Sequence, residues 1–98
     1  MVKDSTRKST VIIPNYNGIS YIKNCLESLL CDRKEHDFDV IVVDNHSTDN
    51  SRELVEKEYP GVQLICFEEN TGFCKAVNAG IRAAQTEYVI LLLSLIHI

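Results

Sequence analysis

The sequence lacks the basic surface that nucleic-acid binding requires. Its 10 Lys and Arg residues are outnumbered by 14 Asp and Glu residues, so the formal net charge is −4 and the pI is about 5.2. Basic residues are scattered along the chain and form no stripe. Because phosphate neutralisation needs clustered positive charge, this balance argues against nucleic acid as a primary partner.

The sequence also has no sign of export, membrane insertion or zinc binding. MVKDSTRKS at the start is not followed by an apolar stretch, so no signal peptide is predicted. The apolar run over residues 88–98 is too short to span a bilayer, so no transmembrane segment is predicted. The cysteines form no CxxC pair and no zinc-type spacing with histidine, which favours a reduced, cytoplasmic chain; they are Cys25, Cys31, Cys66 and Cys74.

Common nucleotide and hydrolase motifs are absent as well. The sequence contains no GxGxxG dinucleotide fingerprint and no GxxxxGK[ST] phosphate loop. No Ser, His and Asp set occurs at a plausible spacing for nucleophilic catalysis.

What the chain does contain is a regular alternation of apolar strands and amphipathic helices. Strands are predicted at Thr10–Ile13 (ended by Pro14), Phe38–Val43, Val62–Phe67 and Tyr88–Leu92. The order β-α-β-α-β-α-β predicts a Rossmann-like α/β fold with a parallel sheet and right-handed crossovers. If the sheet winds outward both ways from the first strand, the strand order is 3-2-1-4.

Helical periodicity between the strands predicts which faces pack on the sheet. The first helix begins at Ile19, and its apolar face comprises Ile22, Leu26, Leu29 and Leu30. The second carries Leu54 and Val55, is stopped by Pro60-Gly61, and has Ser47 or Asp49 as its candidate cap. The third is expected to pack through small and aliphatic residues, namely Ala76, Val77, Gly80, Ile81 and Ala84.

Ligands of such folds bind outside the carboxyl ends of the strands, where the strand order reverses. "VIIPNYNG" ends the first strand there with amides and one aromatic ring, although Asn and Gly also simply suit a tight turn. In "VIVVDNHSTDNS", the Asp44 carboxylate and the neighbouring Asn45 amide can hydrogen-bond the N–H donor and the two carbonyl acceptors of uracil or thymine. Alternatively, Asp44 hydrogen-bonds its own loop and Asp49 serves only the helix N-terminus.

The third segment, "ENTGFCKAVNAG", places Gly72 at a helix N-terminus and Lys75 in the first helical turn. This arrangement suits an anion such as a diphosphate, but many ordinary helices begin in the same way. Taken together, in this order and at these separations, the three segments resemble the start of a family 2 nucleotide-sugar glycosyltransferase of the GT-A fold. The resemblance covers about residues 9–92.

This resemblance implies a set of nucleotide-sugar-binding residues. The segment Pro14, Asn15, Tyr16 and Asn17 is expected to line the nucleotide pocket, with the Tyr16 ring near the base. Asp44 and Asn45 are expected to contact base and ribose, with Asp44 favoured. Gly72, Lys75 and Asn78 are expected along the diphosphate and sugar.

The resemblance further implies Mg²⁺ or Mn²⁺, held by an Asp-x-Asp-like motif directly after the fourth strand, and a carboxylate base beyond it. No acid follows Glu87 in this sequence, so neither is present and the chain itself is expected to be inactive. The donor is a UDP-, dTDP- or GDP-type sugar, and the acceptor is undetermined. The longer protein is expected in the cytoplasm or on the cytoplasmic face of the membrane.

The last residues, "LSLIHI", depart from the family pattern. They can be encoded by CTG-TCT-CTT-ATA-CAC-ATC, which matches a transposase end used as an adapter in DNA library preparation. We therefore expect an N-terminal tail at residues 1–8, an incomplete glycosyltransferase domain at 9–92, and an adapter-derived artefact at 93–98. Two alternatives stay open, a non-catalytic nucleotide- or partner-binding α/β module and an unrelated flavodoxin-like domain.

Overall fold

The computed structural model describes residues 9–32 and 38–92, and the segments predicted as an N-terminal tail and as an adapter artefact lie outside these ranges. The strands are β1 (Ser9–Asn15), β2 (Phe38–Asp44), β3 (Gln63–Cys66) and β4 (Tyr88–Leu91), and the helices are α1 (Ile19–Asp32), α2 (Ser51–Glu58) and α3 (Phe73–Ala83). None of these helices combines the length and the apolar character that a membrane span requires.

All described strands pair in parallel, in the order β3-β2-β1-β4. The predicted strand order and fold class are therefore confirmed. The prediction that Pro14 ends β1 was wrong. The strand continues through Pro14, which lies opposite Val43, to Asn15. The carbonyl of Ile12 faces β4, where it accepts the Leu92 amide, so the nitrogen of Pro14 two residues later also points to that side. No described strand pairs with β1 at that level, so the missing N–H costs no ladder hydrogen bond.

Helices cover both faces of the sheet and divide the core in two. On one face α1 and α2 pack over Val11, Ile13, Val40 and Val42. As predicted, Ile22 and Leu26 of α1 are buried in this layer, with Leu29 and Leu30 packed against it. On the other face α3 packs over Ile12, Ile41 and Val43.

The packing side of α3 differs from the prediction. Ala76 and Gly80 are buried and Ala84 packs at the edge, as expected, but Ile81 is 47% exposed. Small residues at Ala79 and Ala83 complete the face against the sheet instead. The error arose because Ile81 follows Gly80 directly, and adjacent residues on a helix point about 100° apart.

Candidate functional site

The carboxyl ends of β1 and β2 carry a buried polar cluster. Among the described residues, the buried polar or charged ones are Thr10, Asn15, Asp44, Asn45 and Ser51. All except Thr10 lie at this edge of the sheet, either at the strand ends or at the start of α2. Buried polar groups are costly unless they are hydrogen-bonded, so their clustering at the ligand-binding edge of an α/β sheet marks a candidate site.

Asp44, the last residue of β2, is fully buried and is the centre of the cluster. Its Oδ1 accepts hydrogen bonds from Asn15 Nδ2 (2.9 Å) and Ser47 Oγ (2.7 Å). Its Oδ2 accepts one from the Ser47 backbone N–H at 2.9 Å. The carboxylate thus hydrogen-bonds its own loop, as the alternative interpretation of the sequence predicts, and it has no exposed surface for a ligand in this structure.

Asn15, the last residue of β1, joins the two loops from the other side. Its Nδ2 lies 2.9 Å from Asp44 Oδ1, 2.9 Å from Ser51 Oγ and 3.2 Å from Ser47 Oγ. Since an amide group has two N–H donors, the longer Ser47 contact shares a donor with another acceptor. Asn15 is therefore a buried link between β1, the loop after β2 and the start of α2.

Asn45 connects the loop after β2 to the start of α3. Its Oδ1 accepts hydrogen bonds from the Thr71 N–H (2.8 Å) and from Thr71 Oγ1 (3.2 Å), and its Nδ2 donates to the Gly72 carbonyl (3.1 Å). Gly72 has φ 91°, a backbone angle that L residues rarely adopt, and precedes the first residue of α3. Asn45 consequently fixes the position of the α3 N-terminus, whose free N–H groups favour an anion.

Asn17 and Asp49 tie the outer parts of the two loops together. The backbone N–H of Asn17 donates to Ser47 Oγ, and its Oδ1 accepts from the Thr48 N–H at 2.7 Å. Asp49 Oδ2 accepts from the Ile19 N–H at 2.9 Å, and its Oδ1 accepts from Ser51 N–H and Ser51 Oγ. Burial raises the pKa of the Asp49 carboxyl. The hydrogen bonds that it accepts from Ser51 and Ile19 lower the pKa by more than burial raises it, so the pKa lies below the ordinary carboxyl value.

The remaining predicted site residues are more exposed. Tyr16 is 49% exposed beyond the end of β1, and Pro14 is half-buried beside it. Lys75 and Asn78 are exposed on the first two turns of α3. An open cavity of 520 Å³ lies next to the cluster, past the end of β3, and is lined by Cys66, Phe67, Glu68, Glu69 and Thr71.

Sequence reasoning missed part of this arrangement. Asp49 was considered as a cap for α2, but its second bond to α1 was not predicted, nor were the roles of Ser51 and Thr71. A Ser or Thr next to Asx residues in two neighbouring βα loops is the signal that could have indicated them. Which loops meet in space depends on the strand order, however, and not on local sequence.

The described residues do not provide a metal centre. Within 9–32 and 38–92, no group of three or more His, Cys, Asp or Glu side chains is placed to hold a metal ion. The four cysteines are free. His46 has φ 71° in the exposed part of its loop, with no metal ligand set around it among these residues.

Comparison with known proteins identifies relatives of this architecture. The model of the family described as "Glycosyl transferase family 2" matches residues 10–92. The teichoic acid poly(glycerol phosphate) polymerase of Staphylococcus epidermidis is 36% identical over 87% of this chain, which spans 12% of the polymerase.

Two solved structures extend the comparison. Staphylococcus aureus TarS 1-349 in complex with UDP matches 89% of this chain with a TM-score of 0.74 and 34% identity, and the match spans 27% of the TarS chain. A mannosyltransferase from Pyrobaculum calidifontis, in complex with GDP-Man and Mn²⁺, matches 81% of this chain with a TM-score of 0.62 and 30% identity, and the match spans 25% of that chain.

Proposed function

Since this chain belongs to glycosyl transferase family 2, we propose that it is the nucleotide-sugar-binding part of a glycosyltransferase. The longer protein would transfer a sugar from a nucleotide-diphosphate donor to an acceptor hydroxyl. The similarity to these relatives supports the reaction class. Because the chain spans only 12% of the polymerase and 27% of the TarS chain, the proposal is limited to the donor-binding part.

The observation that carries the proposal is the convergence of three loops on one edge of the sheet. Asn15, Asp44 and Asn45 are buried together there, and Asn45 holds the Gly72 carbonyl at the start of α3. A nucleotide diphosphate needs a site for a flat polar base and, beside it, N–H donors for the phosphates. The cavity past β3 and the N-terminus of α3 offer these two features side by side.

We assign the exposed groups of this edge to direct ligand contact. The Tyr16 ring is free to lie against the base or ribose, and Lys75 supplies positive charge near the diphosphate. Asn78 lies about one turn further along α3, and we assign it to contact with the sugar. Pro14 and Asn17 shape the first loop. Asp44 stays the predicted base-recognition residue, although its complete burial favours an indirect role, in which it orders Asn15 and Ser47 around the neighbouring Asn45.

UDP is the first donor nucleotide to test, because TarS has been solved with UDP and with UDP-GlcNAc. GDP is the second, because the archaeal mannosyltransferase was solved with GDP-Man, and dTDP shares the imide N–H of UDP. That mannosyltransferase also carries Mn²⁺. We propose Mg²⁺ or Mn²⁺ for the longer protein, with ligands from outside the described residues, since those residues form no metal site.

The 98-residue chain is proposed to bind a donor nucleotide without transferring sugar, because the metal motif and carboxylate base implied by the family are not among its residues. We place the longer protein in the cytoplasm or at the cytoplasmic face of the membrane.

Isothermal titration of the chain with UDP, dTDP, GDP and ATP tests the donor-binding proposal. We expect saturable binding of at least one of the first three and none of ATP. Uracil, thymine and guanine each have a ring N–H that can donate a hydrogen bond, whereas adenine has none, so ATP serves as the control. Absence of binding by all three, with a folded chain by circular dichroism, would contradict the proposal.

A further inference from the structure

Asp49 occupies an unusual position between two helices. It lies in the loop after β2, one residue before the Asn50 that precedes α2, and its two carboxylate oxygens bind different elements. Oδ1 accepts hydrogen bonds from Ser51 N–H (3.0 Å) and Ser51 Oγ (2.6 Å) at the start of α2. Oδ2 accepts one from the Ile19 N–H (2.9 Å) at the start of α1.

Neither helix has another side-chain cap at its start among the described contacts. Asn50, at the N-cap position of α2, has φ 73° and makes no side-chain cap hydrogen bond. Helix α1 has no acidic residue in its first turn. Asp49 is therefore the carboxylate that satisfies free N–H groups at both N-termini, where negative charge is favourable.

The same carboxylate is connected to the buried cluster. Ser51 Oγ, which donates to Asp49, accepts a hydrogen bond from Asn15 Nδ2, and Asn15 donates in turn to Asp44. A chain of hydrogen bonds thus runs from the α1 N-terminus through Asp49, Ser51 and Asn15 to the end of β2. Each member is held in place by the others, and such networks act as units.

We propose that Asp49 is a positioning residue for the donor nucleotide: by bridging the N-termini of α1 and α2, it holds the Asn15–Gly18 loop against the Asp44–Asn50 loop in the geometry that receives the ligand. This inference rests on the proposed function. Asp49 itself does not contact the nucleotide and acts through Asn15, Asn17 and Ser47, which its bridge keeps in register.

Asp49→Asn separates the two halves of the bridge. The amide keeps one acceptor oxygen, which stays with the two adjacent Ser51 donors, and its NH₂ group cannot accept from the Ile19 N–H. Amide hydrogen exchange should therefore accelerate at Ile19 and stay slow at Ser51. If Ile19 exchange is unchanged, the bridge does not hold the loop, and the proposal fails whether or not the chain binds nucleotide.

Nucleotide affinity distinguishes positioning from a general loss of stability. We expect Asp49→Asn to weaken UDP binding about tenfold, a change typical of a lost hydrogen bond to a charged group. Two controls are matched to it. Glu53→Gln removes a charge from the first turn of α2 without touching the bridge, and Val55→Ala destabilises the core from the same helix.

Both controls should keep wild-type affinity under conditions where all variants are folded by circular dichroism. If Val55→Ala loses as much affinity as Asp49→Asn, Asp49 is merely a stabilising residue and the proposal is overturned. If the wild-type chain binds no UDP, dTDP or GDP, the proposed function fails, and the role of Asp49 in donor binding fails with it. The exchange rate at Ile19 still decides separately whether the Asp49 bridge exists.

Discussion

Asp44 combines complete burial with three accepted hydrogen bonds, from Asn15 and from two groups of Ser47. Asp44→Ala leaves those donors unpaired in a buried place, which should destabilise the fold by about 2–4 kcal/mol. It should also weaken UDP binding, since the loop that carries Asn45 loses its anchor. Urea unfolding and isothermal titration measure the two effects. Unchanged UDP affinity in a folded variant would remove Asp44 from the site.

Tyr59 makes stability depend on pH in the alkaline range. Burial of its ring, followed by the hydrogen bond that its hydroxyl donates to Glu27 (3.0 Å) and by the charges of Glu27 and Glu58, raises its pKa from 10.0 to about 12. The folded state therefore holds this proton more tightly than the unfolded state. Its contribution is complete below pH 10.0 and is lost as the pH rises through about 12.

Tyr59→Phe isolates this effect because it keeps the ring and removes the ionisable group. We expect wild type to exceed the variant by about 1 kcal/mol in free energy of unfolding at neutral pH, the usual value of a hydrogen bond. That advantage should vanish near pH 12. Urea unfolding at both pH values is the measurement, and a difference independent of pH would show that the hydroxyl does not ionise in this range.

At the scale of the elements, helix α3 approaches the sheet through Gly80. A Cβ placed on Gly80 would lie 2.6 Å from Ile12 Cγ2, and Ile12 is fully buried in the central strand β1. A Cβ at this distance would clash with the Ile12 side chain. Close packing of α3 therefore requires glycine at this position, and with it the helix start at Gly72 is brought to the ligand-binding edge.

Gly80→Ala should destabilise the protein by about 1–2 kcal/mol, since overpacking outweighs the better helix propensity of alanine. Gly61→Ala is the matched control, because a Cβ there meets no atom within 4 Å and no left-handed backbone angle is involved. That control should stay within about 0.5 kcal/mol of wild type. Equal thermal stability of the two variants would contradict the close approach of α3.

The elements were largely predictable from the sequence because apolar periodicity determines them. All seven were expected, in the right order, and the sheet order followed from the assumption that the sheet winds outward both ways from the first strand. The end of β1 at Asn15 was not predicted, because a proline in the local sequence indicates the end of a strand. Pro14 is tolerated within β1 because no described strand pairs with β1 on the side to which the Pro14 nitrogen points. The Asp49 bridge was not predicted either, since it joins residues 30 positions apart in the chain.

At the scale of the whole molecule, β4 presents a large apolar surface. Tyr88, Val89, Ile90 and Leu91 are 60%, 39%, 49% and 41% exposed, and no described strand pairs with the outer edge of β4. An apolar strand edge with free backbone groups is a template for association with other chains. We expect the chain to self-associate at micromolar concentration.

Ile90→Lys should reduce this association by placing a charge on β4, whereas Arg82→Lys, at an exposed position of α3, should have no effect. Size-exclusion chromatography with light scattering measures both. A monodisperse wild-type monomer would contradict the expectation.

Recovery of the source DNA past the codon for Leu92 tests the proposal that residues 93–98 derive from an adapter. We expect the frame to continue into an Asp-x-Asp-like motif. Genomic DNA that encodes LSLIHI followed by a stop codon would instead define a short protein and favour the non-catalytic binding module.

The most direct test of the account is an NMR titration of the chain with UDP, in which the perturbed amides locate the ligand. Donor binding at the three-loop edge predicts the largest shifts in residues 16–18, 45–47 and 72–75, with residues 61–62 and 85–87 at the opposite end of the sheet unaffected. Shifts concentrated at that opposite end, or no shifts in a folded chain at saturating UDP, would contradict the assignment of this edge as a nucleotide-sugar site.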